Sequence, residues 1–200
     1  MMFLETILGF ILAAFALTGS PGPNTLSLAA VGASFGKQRG LRYMGGLNIG
    51  MVLVIIITGS GVSGLLLTIP GASPIITVIA GIYFFYLAYR ISTAPPLTKD
   101  SNTGKAPEWI EGTILSLLNP KAYAAIAALF SSFVLVTDDL LLDSILKSSV
   151  LLIVICTVNI SWLFIGAALT PLLKRPRISR NINISFAILL ILSVFSAAVI

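Results

Sequence analysis

The sequence places a single charged side chain inside a long apolar stretch. Lys121 is the only charged residue between positions 112 and 137, and it directly follows Asn119 and Pro120. Asparagine is a favoured N-cap and proline suits the first helical position, so the Asn119 side chain is predicted to cap a helix that begins here. A lysine in such a stretch either donates hydrogen bonds into a polar cavity or extends its ammonium group to the nearest water. Both interpretations are open at this stage.

A second polar segment interrupts an apolar run near the start of the chain. It reads Ser20-Pro21-Gly22-Pro23-Asn24. Its two prolines remove two backbone donors, and each disfavours helical conformation in the residue before it. The helix is therefore predicted to unwind here, which leaves carbonyl and N–H groups in need of partners. Pro23 suits the first turn of a following half-helix, whose N-terminus carries the positive end of the helix dipole.

Two more amides, Asn48 and Asn159, stand in otherwise apolar stretches. An asparagine in such a position either makes a hydrogen bond between two helices or faces a cavity, and both roles are open for each residue. Close to Asn48, Gly46 and Gly50 are spaced four residues apart. This spacing is typical of helices that pack closely.

Several classes of chemistry are excluded by the residues that the sequence lacks. There is no histidine, Cys156 is the single cysteine, and no aspartate or glutamate lies inside an apolar stretch. These absences exclude an internal disulfide, a His or Cys metal site and a pair of catalytic carboxylates. A serine nucleophile would have only Lys121 as its base. We therefore expect no enzyme activity, no metal and no cofactor.

The elements that position these residues are predicted to be membrane-spanning helices. Hydrophobic residues make up 57% of the 200 residues and charged residues 10%, with a mean hydropathy of +1.05. A soluble domain carries roughly 25% charged residues. The longest charge-free run, residues 43–89, is long enough for two spans of about 20 residues. We expect an all-α integral membrane protein with six spans, at about 4–35, 44–68, 74–91, 110–136, 147–170 and 181–200.

The spans divide into two halves of three, joined by a polar cytoplasmic linker at 92–109. Because three is odd, the second half enters the membrane from the opposite side, as in the inverted repeats of many transporters. The first and fourth helices would both be broken. At 1.5 Å per residue, Pro21 lies about 24 Å from one side and Asn119 about 12 Å from the other. In a hydrocarbon core of about 30 Å, Pro21 is then about 6 Å and Asn119 about 12 Å from the same side, so the two breaks differ in depth by only about 6 Å.

The basic residues predict the orientation of the chain. Ten of the twelve lie in alternate predicted loops, which should therefore be cytoplasmic, and both termini then face outside. The first segment has no basic n-region, so no cleaved signal peptide is expected. The basic residues are thus explained as determinants of orientation. We therefore expect the lipid bilayer as a partner of the chain and expect no nucleic-acid partner.

These features together resemble the LysE/RhtB superfamily of bacterial amino-acid exporters. The resemblance rests on six spans in about 200 residues, on Ser20-Pro21-Gly22-Pro23 and on Asn119-Pro120-Lys121. It implies secondary active export of a small amino acid or derivative across the bacterial inner membrane, usually by a homo-oligomer. A passive channel or facilitator is the alternative, and a membrane scaffold is disfavoured because it needs no broken helices.

One departure from the family concerns proton coupling. Many members carry an acidic residue in the fifth span, where this sequence has Asn159. Coupling would then fall to Glu5, Glu111 or Lys121.

For the substrate, we expect its carboxylate to meet the N–H groups after Pro23 or the ammonium of Lys121. Its own ammonium would meet carbonyls freed by Pro21 and Pro23, helped by Asn119. The predicted binding residues are Ser20, Pro21, Gly22, Pro23, Asn24, Asn48, Asn119, Pro120, Lys121 and Asn159.

Overall fold

The structure, a computed structural model, describes residues 2–61, 69, 72–93, 106–171 and 175–198, and all regular elements among them are helices. The first four are α1 (Met2–Gly19), α2 (Pro23–Phe35), α3 (Lys37–Gly59) and α4 (Ala72–Ser92). The next four are α5 (Trp109–Leu117), α6 (Pro120–Ser132), α7 (Leu140–Ala168) and α8 (Pro176–Ala198). Most of the predicted linker (94–105), the end of the second predicted span (62–68) and residues 70–71 between the second and third predicted spans lie outside the described residues.

Two helices, α3 and α7, are each long and apolar enough to cross a membrane. The pairs α1–α2 and α5–α6 also qualify, and each pair bends by about 60° at its break. If each bent pair is one span, the described residues contain up to four spans. The structure is therefore that of a helical membrane protein, and the arrangement of six spans in two repeats stays a prediction.

Both predicted helix breaks are confirmed, and prolines define them. Helix α1 ends at Gly19 and α2 begins at Pro23, with Gly22 in extended conformation between them. Helix α5 ends at Leu117 and α6 begins at Pro120. In both cases a proline occupies the first helical position, where its missing N–H would have had no helical partner.

Helices α2 and α3 are separated by a single residue, where the predicted spans leave residues 36–43 between them. This residue is Gly36, whose φ of 82° is a conformation that glycine adopts without steric cost. The basic residues Lys37, Arg39 and Arg42 consequently lie on the first turns of α3 instead of in a loop.

The fourth predicted loop also differs. Helix α7 begins at Leu140, seven residues before the predicted span, because Asp139 Oδ1 accepts hydrogen bonds from the N–H groups of Leu141 and Leu142. Lys147 therefore lies within α7, where it is buried and ion-paired with Asp143. The predicted spans had placed Asp143 in the loop before residue 147 and Lys147 at the end of that loop.

Helices from the two predicted halves pack against each other. Helix α3 contacts α5, α2 contacts α7, and α4 contacts α8. Glycines permit the closest approaches: a Cβ on Gly112 would lie 2.5 Å from Tyr43 O, and one on Gly50 would lie 2.6 Å from Thr113 O. This packing brings the two helix breaks together at the centre of the described helices.

Candidate functional site

A cavity lies between the two helix breaks. Six of the ten predicted binding residues line it: Ser20, Gly22, Asn24, Asn119, Lys121 and Asn159. Its other walls are mostly apolar side chains of α1, α3, α6 and α7. The pairing of the breaks thus creates a small polar site inside an apolar protein.

Lys121 crosses from the second break to the first. Its Nζ donates to the carbonyl oxygens of Ser20 and Pro21, at 2.9 and 3.0 Å, and to Ser20 Oγ at 2.8 Å. Of the two orientations that the sequence left open, the structure shows the ammonium directed into the broken segment. These acceptors are all neutral, and no described carboxylate pairs with Lys121. Its charge is therefore uncompensated beside the cavity.

The carbonyls of Ser20 and Pro21, which the unwound helix leaves without helical partners, are thus already engaged. The expectation was that a substrate ammonium meets carbonyls freed by Pro21 and Pro23, and two carbonyls of this break already accept from Lys121. The break is further stabilised by Thr25, whose Oγ1 accepts from the Gly22 N–H at 2.9 Å. Trp162 Nε1–H donates a hydrogen bond of 3.1 Å to the carbonyl oxygen of Gly19, the last residue of α1.

A chain of side-chain hydrogen bonds joins the two breaks directly. Asn119 Nδ2 donates to Asn24 Oδ1, Asn24 Nδ2 donates to Ser116 Oγ, and Ser116 Oγ donates to Leu47 O, each at 2.9 Å. Asn119 does occupy the N-cap position of α6, but its side chain makes no capping hydrogen bond. The predicted capping role is therefore wrong, because the amide is drawn across to the other break.

The direction of this chain follows from its last member. A carbonyl oxygen only accepts, so the single hydroxyl proton of Ser116 must point at Leu47 O. Ser116 Oγ then accepts from the NH₂ group of Asn24, which turns Asn24 Oδ1 towards the NH₂ group of Asn119. Asn119 Oδ1 is left as a buried acceptor without a hydrogen-bond partner. An unpaired buried acceptor costs about 1–3 kcal/mol, so a donor at this position would be stabilised.

The remaining predicted residues surround the cavity without lining it. Pro23 and Pro120 begin the two half-helices, and Pro21 contributes its carbonyl to Lys121. Asn48 accepts a 2.6 Å hydrogen bond from Asn159 Nδ2, which joins α3 to α7. Asn159 therefore takes both of the roles that the sequence left open, whereas Asn48 is seen only in the interhelical bond.

Sequence reasoning missed Ser116 and Trp162. Ser116 lies in the last turn of α5, three residues before Asn119, but a serine in a helix commonly bonds to its own backbone and gives no distinctive signal. Trp162 follows Asn159 by three residues, a spacing that places both on one face of α7. That spacing was the only available indication.

The three candidates for proton coupling occupy different environments. Glu5 is exposed on the first turn of α1. Glu111 is ion-paired with Arg90 and accepts a hydrogen bond from Tyr86. Of the three, only Lys121 lines the cavity.

Comparison with known proteins identifies the family. Residues 7–199 match the family of LysE type translocators. The chain therefore belongs to the LysE family, and it is a multi-pass translocator of the inner membrane, not an enzyme.

Among its relatives is a leucine efflux protein of Enterobacter sp. (strain 638). The two are 28% identical over 171 residues, which cover 82% of this chain and 81% of the relative. A cysteine/O-acetylserine efflux protein of Escherichia coli O139:H28 (strain E24377A / ETEC) is 28% identical over 174 residues, 86% of this chain and 87% of that protein. No solved structure gives a significant match.

Proposed function

We propose that this protein is a secondary active exporter of a small amino acid and that the cavity between the two breaks binds the substrate. The observation that carries the proposal is the uncompensated ammonium of Lys121 beside that cavity. The names of the relatives, which describe efflux of leucine and of cysteine or O-acetylserine, support export of an amino acid.

The substrate carboxylate binds near Lys121. In the substrate-free site this ammonium has only neutral acceptors, from Ser20 and Pro21. A carboxylate that replaces one of them forms a charge-assisted hydrogen bond, which is roughly twice as strong as a neutral one. The alternative anion site, the N–H groups after Pro23, is weaker because a helix N-terminus carries only a partial positive charge, whereas Lys121 carries a full one.

Binding at the breaks also provides a route to alternating access. The contacts that hold the two breaks together are a few hydrogen bonds, between Lys121 and Ser20 and between Asn119 and Asn24. A substrate that competes for these groups changes the relative free energies of two arrangements of the half-helices. Lys121 is the proposed coupling residue, because neither Glu5 nor Glu111 lines the cavity.

A passive facilitator is the second candidate function. The observation in its favour is that the cavity lining contains no carboxylate among the described residues, and a carboxylate is the usual proton carrier in transporters. The two candidates differ in whether the substrate accumulates against its gradient.

Inside-out membrane vesicles separate these functions. Uptake of labelled L-leucine, L-cysteine, L-lysine and L-glutamate is measured with an imposed proton gradient and again after an uncoupler. We expect uphill uptake of at least one amino acid, abolished by the uncoupler and absent from vesicles that lack the protein. Uptake that only equilibrates would establish the facilitator, and no uptake of any amino acid would overturn both.

A further inference from the structure

We propose that the cavity selects α-amino acids that carry a free ammonium group and an uncharged, apolar side chain. In this proposal Asn119 Oδ1 is the acceptor for the substrate ammonium. The inference rests on the proposed function and deepens it by naming the class of substrate.

The first argument is the fixed direction of the amide chain. Leu47 O accepts from Ser116, and this contact orients Asn24 and then Asn119, so Asn119 keeps Oδ1 for an external donor. Asn119 lines the cavity and its Oδ1 has no partner. A donor with a positive charge pairs with a buried amide oxygen more strongly than a neutral donor does.

The second argument is the number of charges at the site. Among the described residues that line the cavity, Lys121 carries the one charge. A zwitterion brings a carboxylate for Lys121 and an ammonium for Asn119. A substrate with a third charge, such as lysine or glutamate, would leave that charge without a counter-ion in an apolar enclosure, which is costly.

The third argument is the character of the remaining walls. They are mostly apolar, although Thr18, Thr25 and Asn159 also contribute; the apolar lining residues are Leu17, Met51, Ala122, Ala125, Ile126, Ile155 and Val158. An aliphatic side chain placed against these residues is removed from water without losing hydrogen bonds. The polar and apolar parts of the cavity therefore match the two ends of a small aliphatic amino acid.

Competition in the vesicle assay tests the three arguments. The probe is labelled L-leucine, and the competitors are L-norvaline, N-acetyl-L-leucine, 2-hydroxy-4-methylpentanoate and 3-methylbutylamine. We expect L-norvaline to compete and the three analogues that lack one charged group to compete at least about tenfold more weakly, the effect of a hydrogen bond to a charged group. Equal competition by the hydroxy acid and the amino acid would overturn the ammonium contact.

Two variants test the role of Asn119. Asn119→Leu removes the acceptor, so the preference for L-norvaline over the hydroxy acid should fall by about tenfold. Ser116→Ala removes the group that fixes the direction of the chain without touching the cavity, so the same preference should fall because the Asn119 amide is free to turn. An unchanged preference in a folded Ser116→Ala protein would overturn the directional argument.

The matched control is Ser34→Ala. Ser34 Oγ donates to Asn183 Oδ1 at 2.8 Å between α2 and α8, so this variant also breaks a buried side-chain hydrogen bond, and neither residue lines the cavity. Its preference for L-norvaline over the hydroxy acid should equal that of the wild type.

Should the panel show transport of L-lysine or L-glutamate but not of L-leucine, the substrate class is wrong while export stands. If no amino acid is transported, the proposed function itself fails.

Discussion

Two lysines, on α6 and α7, differ in how their charges are compensated. Lys147 is buried against Asp143 at 2.6 Å and donates to the carbonyl oxygens of Phe130 and Phe133, where α6 ends. Lys121, at the other end of α6, has only neutral acceptors and lies beside the cavity. The first charge is compensated within the protein, whereas the second is available to a ligand.

Replacing Lys121 by methionine should therefore abolish transport without unfolding the protein. Lys121→Met keeps the length and apolar stem of the side chain and removes the charge. We expect uptake of the transported amino acid into inside-out vesicles to fall by at least about tenfold, because the carboxylate loses a charge-assisted contact. Protein level and thermal unfolding in detergent should stay near wild type. Normal transport would show that the ammonium has no part in binding.

Breaking the Asp143–Lys147 ion pair should instead lower the stability of the protein. Removing one member of a buried ion pair leaves the other charge unpaired and costs about 3–5 kcal/mol. Asp143 also accepts hydrogen bonds from the N–H groups of Leu135 and Val136, a role that asparagine can keep and leucine cannot. We expect Lys147→Met to lower the unfolding temperature in detergent strongly, and the double variant Asp143→Asn/Lys147→Met to recover part of the loss. Equal stability of the single variant and the wild type would contradict this role.

At the scale of elements, the broken helices are held in place by close packing of α3 on α5. The backbone of Gly46 lies against the carbonyl group of Trp109, and Gly50 lies against Thr113 and Ser116. Because Ser116 orients the amide chain, this packing also positions the site. The neighbouring Gly45 has open space where a Cβ would lie, so adjacent glycines differ completely in their surroundings.

Gly46→Ala and Gly45→Ala form a matched pair that tests this packing. A Cβ on Gly46 would overlap the Trp109 backbone, which cannot rotate away, so we expect a loss of about 1–3 kcal/mol and reduced transport. Gly45→Ala meets nothing and should be neutral or stabilise α3 by about 0.5–1 kcal/mol. Thermal unfolding in detergent measures both. Similar effects of the two variants would show that α3 and α5 are not in close contact at this point.

At the scale of the whole molecule, the packing relates the two predicted halves. Swapping the first half with the second turns the pair α2–α7 into α6–α3 and the pair α3–α5 into α7–α1, and all four of these pairs are in contact; the pair α4–α8 is left unchanged. Asn48 and Asn159, from the predicted second and fifth spans, also contact each other. Two repeats related by a two-fold axis would give this pattern of contacts, and the repeat architecture itself stays a prediction.

The predicted topology can be checked with reporter fusions. The basic residues of α3 and α8 lie at the starts of these helices, and with the linker they predict a cytoplasmic location for those ends. A periplasm-dependent reporter fused after residue 200 should be active, and one inserted at 99–105 should be inactive. An inactive reporter at the C-terminus together with an active one in the linker would reverse the orientation.

The sequence alone determined the class of protein, the positions of the two breaks and most of the polar residues around the cavity. Each of these depends on local properties: apolar runs report burial in lipid, and prolines interrupt helices wherever they lie. The family resemblance, carried by Ser20-Pro21-Gly22-Pro23 and Asn119-Pro120-Lys121, was confirmed by the family match over residues 7–199.

The tertiary structure decided which partner each polar group takes. Asn119 was expected to cap its own helix, but it bonds to Asn24, 95 residues away in the chain, and Lys121 reaches Ser20, 101 residues away. Lys147 was expected in a loop and instead neutralises Asp143 inside α7. Buried polar groups choose partners by proximity in the packed state, and no local pattern in a sequence reports which distant segments the packing of helices will bring together.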